Sequence, residues 1–108
     1  MSADVWITEP LAPGHAYTYA EMNVTYNLTP MLVEAGFGRW RDHVDDTVPE
    51  FGSALMRLRD TLAADPDRFR ALNPDNGWGD YDELLEAVRE FIDHVPWERP
   101  GLELAVSG

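Results

Sequence analysis

A chain of 108 residues with 44% hydrophobic and 11% aromatic content suits one globular domain spanning 1–108, built on a single modest core, and not a disordered segment. It has no cysteine, which excludes disulfides, thiolate metal sites and a cysteine nucleophile. Twenty acids against 8 bases give a net charge of −12, which disfavours nucleic acid and anionic membrane as partners, and no run reaches the roughly 18 apolar residues of a membrane span.

All 8 bases are arginine. The charge is uneven: residues 1–41 hold 4 acids and 2 arginines, and residues 42–108 hold 16 acids and 6 arginines. Such a surface keeps a protein soluble; its sharper use is to dock a protein partner with a basic face, DNA mimicry being the extreme form. The N-terminal residues carry neither the basic nor the apolar region of a secretory signal, so a cytoplasmic location is expected.

In chain order, Asp4 to Thr8 reads as a short β-rich run stopped by Pro10, and Leu11 to His15 as a turn. Ala16 to Leu28 reads as a long strand. Met22, Val24, Tyr26 and Leu28 alternate with Glu21, Asn23, Thr25 and Asn27, the period of a strand with one buried face. The phase slips near Ala20, which predicts a bulge or bend. Thr29 and Pro30 read as the N-cap and first residue of a short helix closed by Gly36. Phe37 to Asp46 reads as irregular chain around Trp40.

Thr47-Val-Pro-Glu50 is a capping box, and Phe51, Leu55, Leu58 and Leu62 recur on one face of the helix that follows. Asp65-Pro66 starts a short helical turn bearing Phe69 and Leu72. Asn73 to Asp80 then forms a turn whose Asn-Gly-Trp-Gly core demands positive φ at Gly77 and Gly79. Asp80-Tyr-Asp-Glu83 reads as a second capping box. It opens a helix with Tyr81, Leu84, Leu85, Val88, Ile92 and Val95 at helical spacing, ended by Pro96. Leu102, Leu104 and Val106 alternate in a last strand. The expected fold is α+β: a small, mainly antiparallel three-stranded sheet with three or four helices packed on one face.

The segment Thr25-Tyr-Asn-Leu-Thr-Pro-Met31, with Asp65-Pro-x-x-Phe69 and Leu72-Asn-Pro-x-Asn-Gly-Trp-Gly79, resembles a family of small uncharacterised proteins of phages and bacteria. The resemblance covers roughly residues 20–107. It implies one compact domain and carries no activity.

No catalytic constellation, metal ligand set or cofactor motif emerges. His15, His43 and His94 lie in different segments, and His43-Val-Asp45-Asp46, the nearest approach to a metal cluster, reads as a solvated loop. Setting Gly77 at the sixth place of a calcium loop puts Leu72 and Pro74 at ligand places, so that motif fails. Ser2, Ser53 and Ser107 sit in no nucleophile elbow, and without lysine there is no phosphate loop of the Walker type.

The candidate recognition surface is polar and aromatic: Asn23, Thr25 and Asn27 along one strand face, Arg39, Trp40 and Arg41 after the first helix, and Trp78 in the glycine turn. Two functions fit. The first is a non-catalytic binding protein, such as a phage-type inhibitor or adaptor of a host protein. The second is a small-molecule-binding protein or minor enzyme using Asn23, Thr25 and Asn27. Trp78 is expected to be mostly buried, pinning its turn against the flanking helices, because burying an indole contributes several kcal/mol; the competing reading leaves it exposed as an anchor for a partner.

Overall fold

The computed structural model describes residues 1–108. Strands β1 (Ser2–Ala12) and β2 (His15–Thr25) form a long hairpin. Helices α1 (Thr29–Glu34), α2 (Val48–Ala64), α3 (Pro66–Arg70) and α4 (Tyr81–His94) follow, and β3 (Glu103–Ser107) returns to the sheet. The sheet is antiparallel, in the order β2-β1-β3, with Val5 opposite both Met22 and Val106. The α+β architecture is therefore as the sequence periods imply. One sheet face is apolar: Ala3, Val5, Ile7, Ala20, Met22 and Val24 are buried, with Leu104 and Val106 packed at its margin. The alternate residues Asp4, Trp6, Glu21, Asn23 and Glu103 are not buried, so the opposite face meets solvent.

Pro10 does not stop β1. The strand runs on to Ala12, with Pro10 opposite Ala16. Because β3 pairs only with Asp4 to Thr8, β1 has β2 as its sole neighbour beyond that point. A proline is tolerated where one edge of a strand is free. The hairpin closes at Gly14, at φ 79°, and makes the molecule elongated, 45 × 26 × 21 Å. The predicted phase slip is present. Ile7 opposes Ala20 but Thr8 opposes Thr18, so Tyr19 is the extra residue of a bulge. Its hydroxyl donates to Glu9 at 2.8 Å, and Arg99 Nε donates to the same carboxylate at 2.9 and 3.0 Å. Arg99 and Tyr19 together hold the Glu9 carboxyl below the usual glutamate range.

The strand reading to Leu28 is too long. β2 ends at Thr25, and Tyr26–Leu28 form a 3-10 turn. Thr25 caps that turn, its hydroxyl accepting from the Asn27 N–H. Thr29 therefore does not act as an N-cap. Its position is already helical, Leu28 precedes α1 without a side-chain cap, and Pro30 fills the first turn. The chain is already turning when it reaches Thr29, so the cap moves upstream to Thr25.

The two long helices begin as their sequences dictate. Thr47 and Glu50 exchange both bonds of a capping box, at 3.2 and 2.8 Å. Asp80 accepts from the Glu83 N–H at 2.8 Å. The reciprocal bond from Glu83 is not formed, so the second box is only half built. Phe51, Leu55, Leu58 and Leu62 of α2 are essentially inaccessible, as are Tyr81, Leu84 and Val88 of α4. α4 also buries Phe91, which the helical spacing above omitted. Phe51 meets Phe91 edge-on, with centroids 6.3 Å apart, the preferred geometry of an aromatic pair.

Phe37 to Asp46 is more ordered than its composition suggests. Trp40–His43 form a 3-10 turn with Trp40 buried. His43 is not a solvated loop residue. It stacks on Phe37 at 4.0 Å, and its ring nitrogens meet Asp46 at 2.7 Å and the Phe37 carbonyl at 2.8 Å. Both nitrogens are occupied by the protein itself.

Candidate functional site

The glycine turn is built without help from its tryptophan. Gly77 and Gly79 lie at φ 74° and 89°, backbone that other residues rarely adopt. The Asn76 side chain accepts from the Trp78 N–H at 2.9 Å, and that of Asn73 accepts from the Tyr81 N–H at 2.8 Å. Gly79 also approaches β2 closely: a Cβ there would lie 2.8 Å from Thr25 Cγ2 and 3.2 Å from Leu28 Cδ1. These constraints leave nothing for the indole to hold, and Trp78 is 70% exposed. The expectation of a buried Trp78 is thereby overturned. Side-chain-to-backbone bonds and one close approach replace the hydrophobic plug.

Asn23, Thr25 and Asn27 do not form one face. Asn23 donates to Ser2 Oγ at 2.8 Å and to Asp4 at 2.7 Å, within the solvent-facing side of the sheet. Thr25 is committed to its cap, and Asn27 lies in the 3-10 turn, beyond the strand.

Arg39, Trp40 and Arg41 do come together. They line a cavity of about 190 Å³ with Tyr26, Thr29 and Gly108. Arg59, Arg68, Arg70 and Arg99 each pair with a carboxylate; Arg39, Arg41, Arg57 and Arg89 form no ion pair, and of these Arg39 and Arg41 share a cavity. Trp40 is 3% exposed, and its indole Nε1 is the one buried side-chain polar atom without a hydrogen-bond partner. An unsatisfied buried donor costs about 1–3 kcal/mol. The residues between Thr25 and Thr29 thus link the candidate groups. Thr25 and Leu28 receive the glycine turn, and Tyr26 and Thr29 enter the arginine cavity.

A larger groove, about 640 Å³, runs between β2 and α4. One wall is the unbroken run Thr18 to Asn23. Side chains alternate across a strand, so what six consecutive residues share is the outer backbone edge. β2 is an edge strand, and this edge has no strand partner. The other wall is Ala87, Glu90, Phe91 and His94 of α4. Glu21 and Glu90 give the groove negative walls, and the buried Met22 and Phe91 give it an apolar floor.

Sequence reasoning missed this groove, Tyr26 and Thr29 as cavity residues, and Trp6 on the solvent-facing side of the sheet between Glu21 and Ala105. The Trp6 placement was readable, since Val5 and Ile7 at odd positions put Trp6 on the other face. The groove was not, because it depends on which helix lies beside which strand edge. No helix is long and apolar enough to cross a membrane. No protein-family model matches the chain, and no curated protein or solved structure is significantly similar to it.

Proposed function

We propose that this is a non-catalytic binding protein that captures an extended, basic segment of a protein partner along the free edge of β2, a cytoplasmic inhibitor or adaptor of the phage type. The observation that carries the reading is the groove between that edge and α4. A free strand edge presents unpaired N–H and C=O groups at strand spacing, and an added strand satisfies them. Main-chain bonds supply affinity, and alternate side chains of the guest meet the groove walls.

The walls set the specificity. Glu21 and Glu90 are both exposed and acidic, and the exposed side of α4 adds Glu83, Glu86 and Asp93 against one arginine, Arg89. A guest with arginine or lysine at alternate positions matches this potential, and an acidic guest is repelled. A second copy of the chain is a poor guest. Edge-to-edge pairing of two β2 strands brings together two Glu21 residues in molecules of net charge −12.

The test is selection of peptides from a random display library against the folded protein. Recovered peptides should carry basic residues at alternate positions and should perturb the amide resonances of Thr18 to Asn23. The double variant Glu21→Arg, Glu90→Arg should lose them at unchanged melting temperature. Peptides without a basic bias, or resonance changes away from the β2 edge, would reject this reading.

A further inference from the structure

The cavity around Arg39 and Arg41 is separate from the β2–α4 groove and shares no residue with it. In a chain with 20 carboxylates, two arginines two residues apart converge on one opening and pair with none of them. The 3-10 turn of Trp40–His43 sets them there, with Trp40 between them as the buried wall. The main-chain N–H of Arg39 is already taken by Asp42 at 2.9 Å, and the cavity also presents side-chain donors. These are two guanidinium forks and the hydroxyls of Tyr26 and Thr29; the indole N–H of Trp40, the wall residue between the arginines, is buried and without an acceptor.

From this donor set we propose that the cavity binds the phosphoryl group of a small phosphate-bearing ligand, either a phosphate monoester or free phosphate. The side chains that line the cavity are donors and include no carboxylate, and Gly108 adds only main-chain groups, so the side-chain set complements a group rich in acceptors. A guanidinium presents paired N–H groups that match two oxygens of a phosphate at once. A phosphate monoester offers three terminal oxygens and close to two negative charges, enough to engage both arginines and the hydroxyls together. A carboxylate has two oxygens and one charge, and leaves part of the set unused. Size narrows the class further. At about 190 Å³ the cavity is smaller than the 300–1,000 Å³ typical of drug-sized ligand sites, so a nucleotide does not fit within it and a short-chain ester does.

The four tryptophans, Trp6, Trp40, Trp78 and Trp97, give four indole N–H resonances, which makes the test direct. Glycerol phosphate, inorganic phosphate, malonate and chloride are titrated at matched ionic strength into the isotopically labelled protein. The expected result is a saturable shift of the Trp40 indole with either phosphate ligand, and none at Trp6, Trp78 or Trp97. Whichever of the two binds more tightly identifies the natural source. Arg39→Gln and Arg41→Gln alter exposed side chains and should each weaken binding about tenfold or more at unchanged melting temperature. No saturable shift of Trp40, a shift equalled by malonate or chloride, or full retention of binding in both arginine variants would overturn the site.

Discussion

The ring of Trp97 occupies the space that a side chain at position 52 would need. A Cβ built on Gly52 would fall 2.7 Å from Trp97 Cε3 and 3.1 Å from two further ring atoms. Gly52 lies inside α2, where alanine is ordinarily better than glycine by roughly 0.5–1 kcal/mol. Here the sign reverses. The indole cannot easily withdraw, because its Nε1 donates to the Ile92 carbonyl at 3.0 Å and its ring lies 6.3 Å from that of Phe91. Gly52→Ala is expected to destabilise by about 1–3 kcal/mol, the usual cost of overpacking. A companion Trp97→Ala should make Gly52→Ala neutral or stabilising. Denaturant unfolding of the two single variants and the double closes the cycle. A Gly52→Ala protein more stable than wild type, with Trp97 intact, would show that the contact yields.

Trp78 gives the opposite outcome to the one its size suggests. With 70% of its surface exposed and its turn held by Asn73, Asn76 and the two glycines, Trp78→Ala should change stability by less than about 0.5 kcal/mol. Gly79→Ala should cost several times more, because it combines an unfavourable φ with a 2.8 Å approach to Thr25 Cγ2. Comparing the two melting temperatures checks both statements. A large fall for Trp78→Ala would mean that the indole packs down in solution.

The caps separate local grammar from tertiary context. Thr47→Ala and Asp80→Ala each remove a side-chain acceptor from a helix N–H and should each cost on the order of 1 kcal/mol. Thr29→Ala should cost markedly less, since Thr29 caps nothing, and Thr25→Ala should cost more than Thr29→Ala. Thermal unfolding of the four variants orders them. Equal losses at Thr29 and Thr47 would restore the sequence-based cap.

Much of the fold is legible locally. Period-two alternation placed Met22 and Val24 inside, helical spacing placed Phe51, Leu58 and Leu85 inside, and the doubled glycines forced positive φ at residues 77 and 79. Misreadings occur where a distant segment decides. Pro10 sits within a strand because β3 pairs with β1 no further than Thr8. β2 stops at Thr25 because that residue caps a turn against which Gly79 packs, 54 positions later in the chain. The site was legible in part: Arg39, Trp40 and Arg41 are neighbours in sequence and share a cavity. Tyr26 and Thr29 join them only through the return of the chain past the end of β2, a contact that no local pattern encodes.

Acid should loosen the root of the hairpin through one carboxylate. Glu9 accepts from Arg99 through both of its oxygens and from the Tyr19 hydroxyl, and Arg99 foremost, then Tyr19, holds its pKa below the ordinary glutamate value of 4.5. A carboxyl whose pKa is lower in the folded than in the unfolded chain binds fewer protons when folded. Its contribution is therefore present in full above the unfolded value and is lost as pH falls through the folded one. Glu50, lowered by its bonds to Thr47, acts in the same direction and window. The Tyr19 hydroxyl, raised first by its bond to Glu9, contributes below its ordinary value of 10.0 and loses that contribution as pH rises through its folded value. Glu9→Gln should therefore narrow the stability difference between pH 7 and the region below about pH 4, mainly by lowering stability at pH 7. The difference between variant and wild type should shrink as both are acidified. Chemical denaturation of the two proteins across pH 3–7 measures this. A constant offset at every pH would show that Glu9 acts by shape alone and not through its charge.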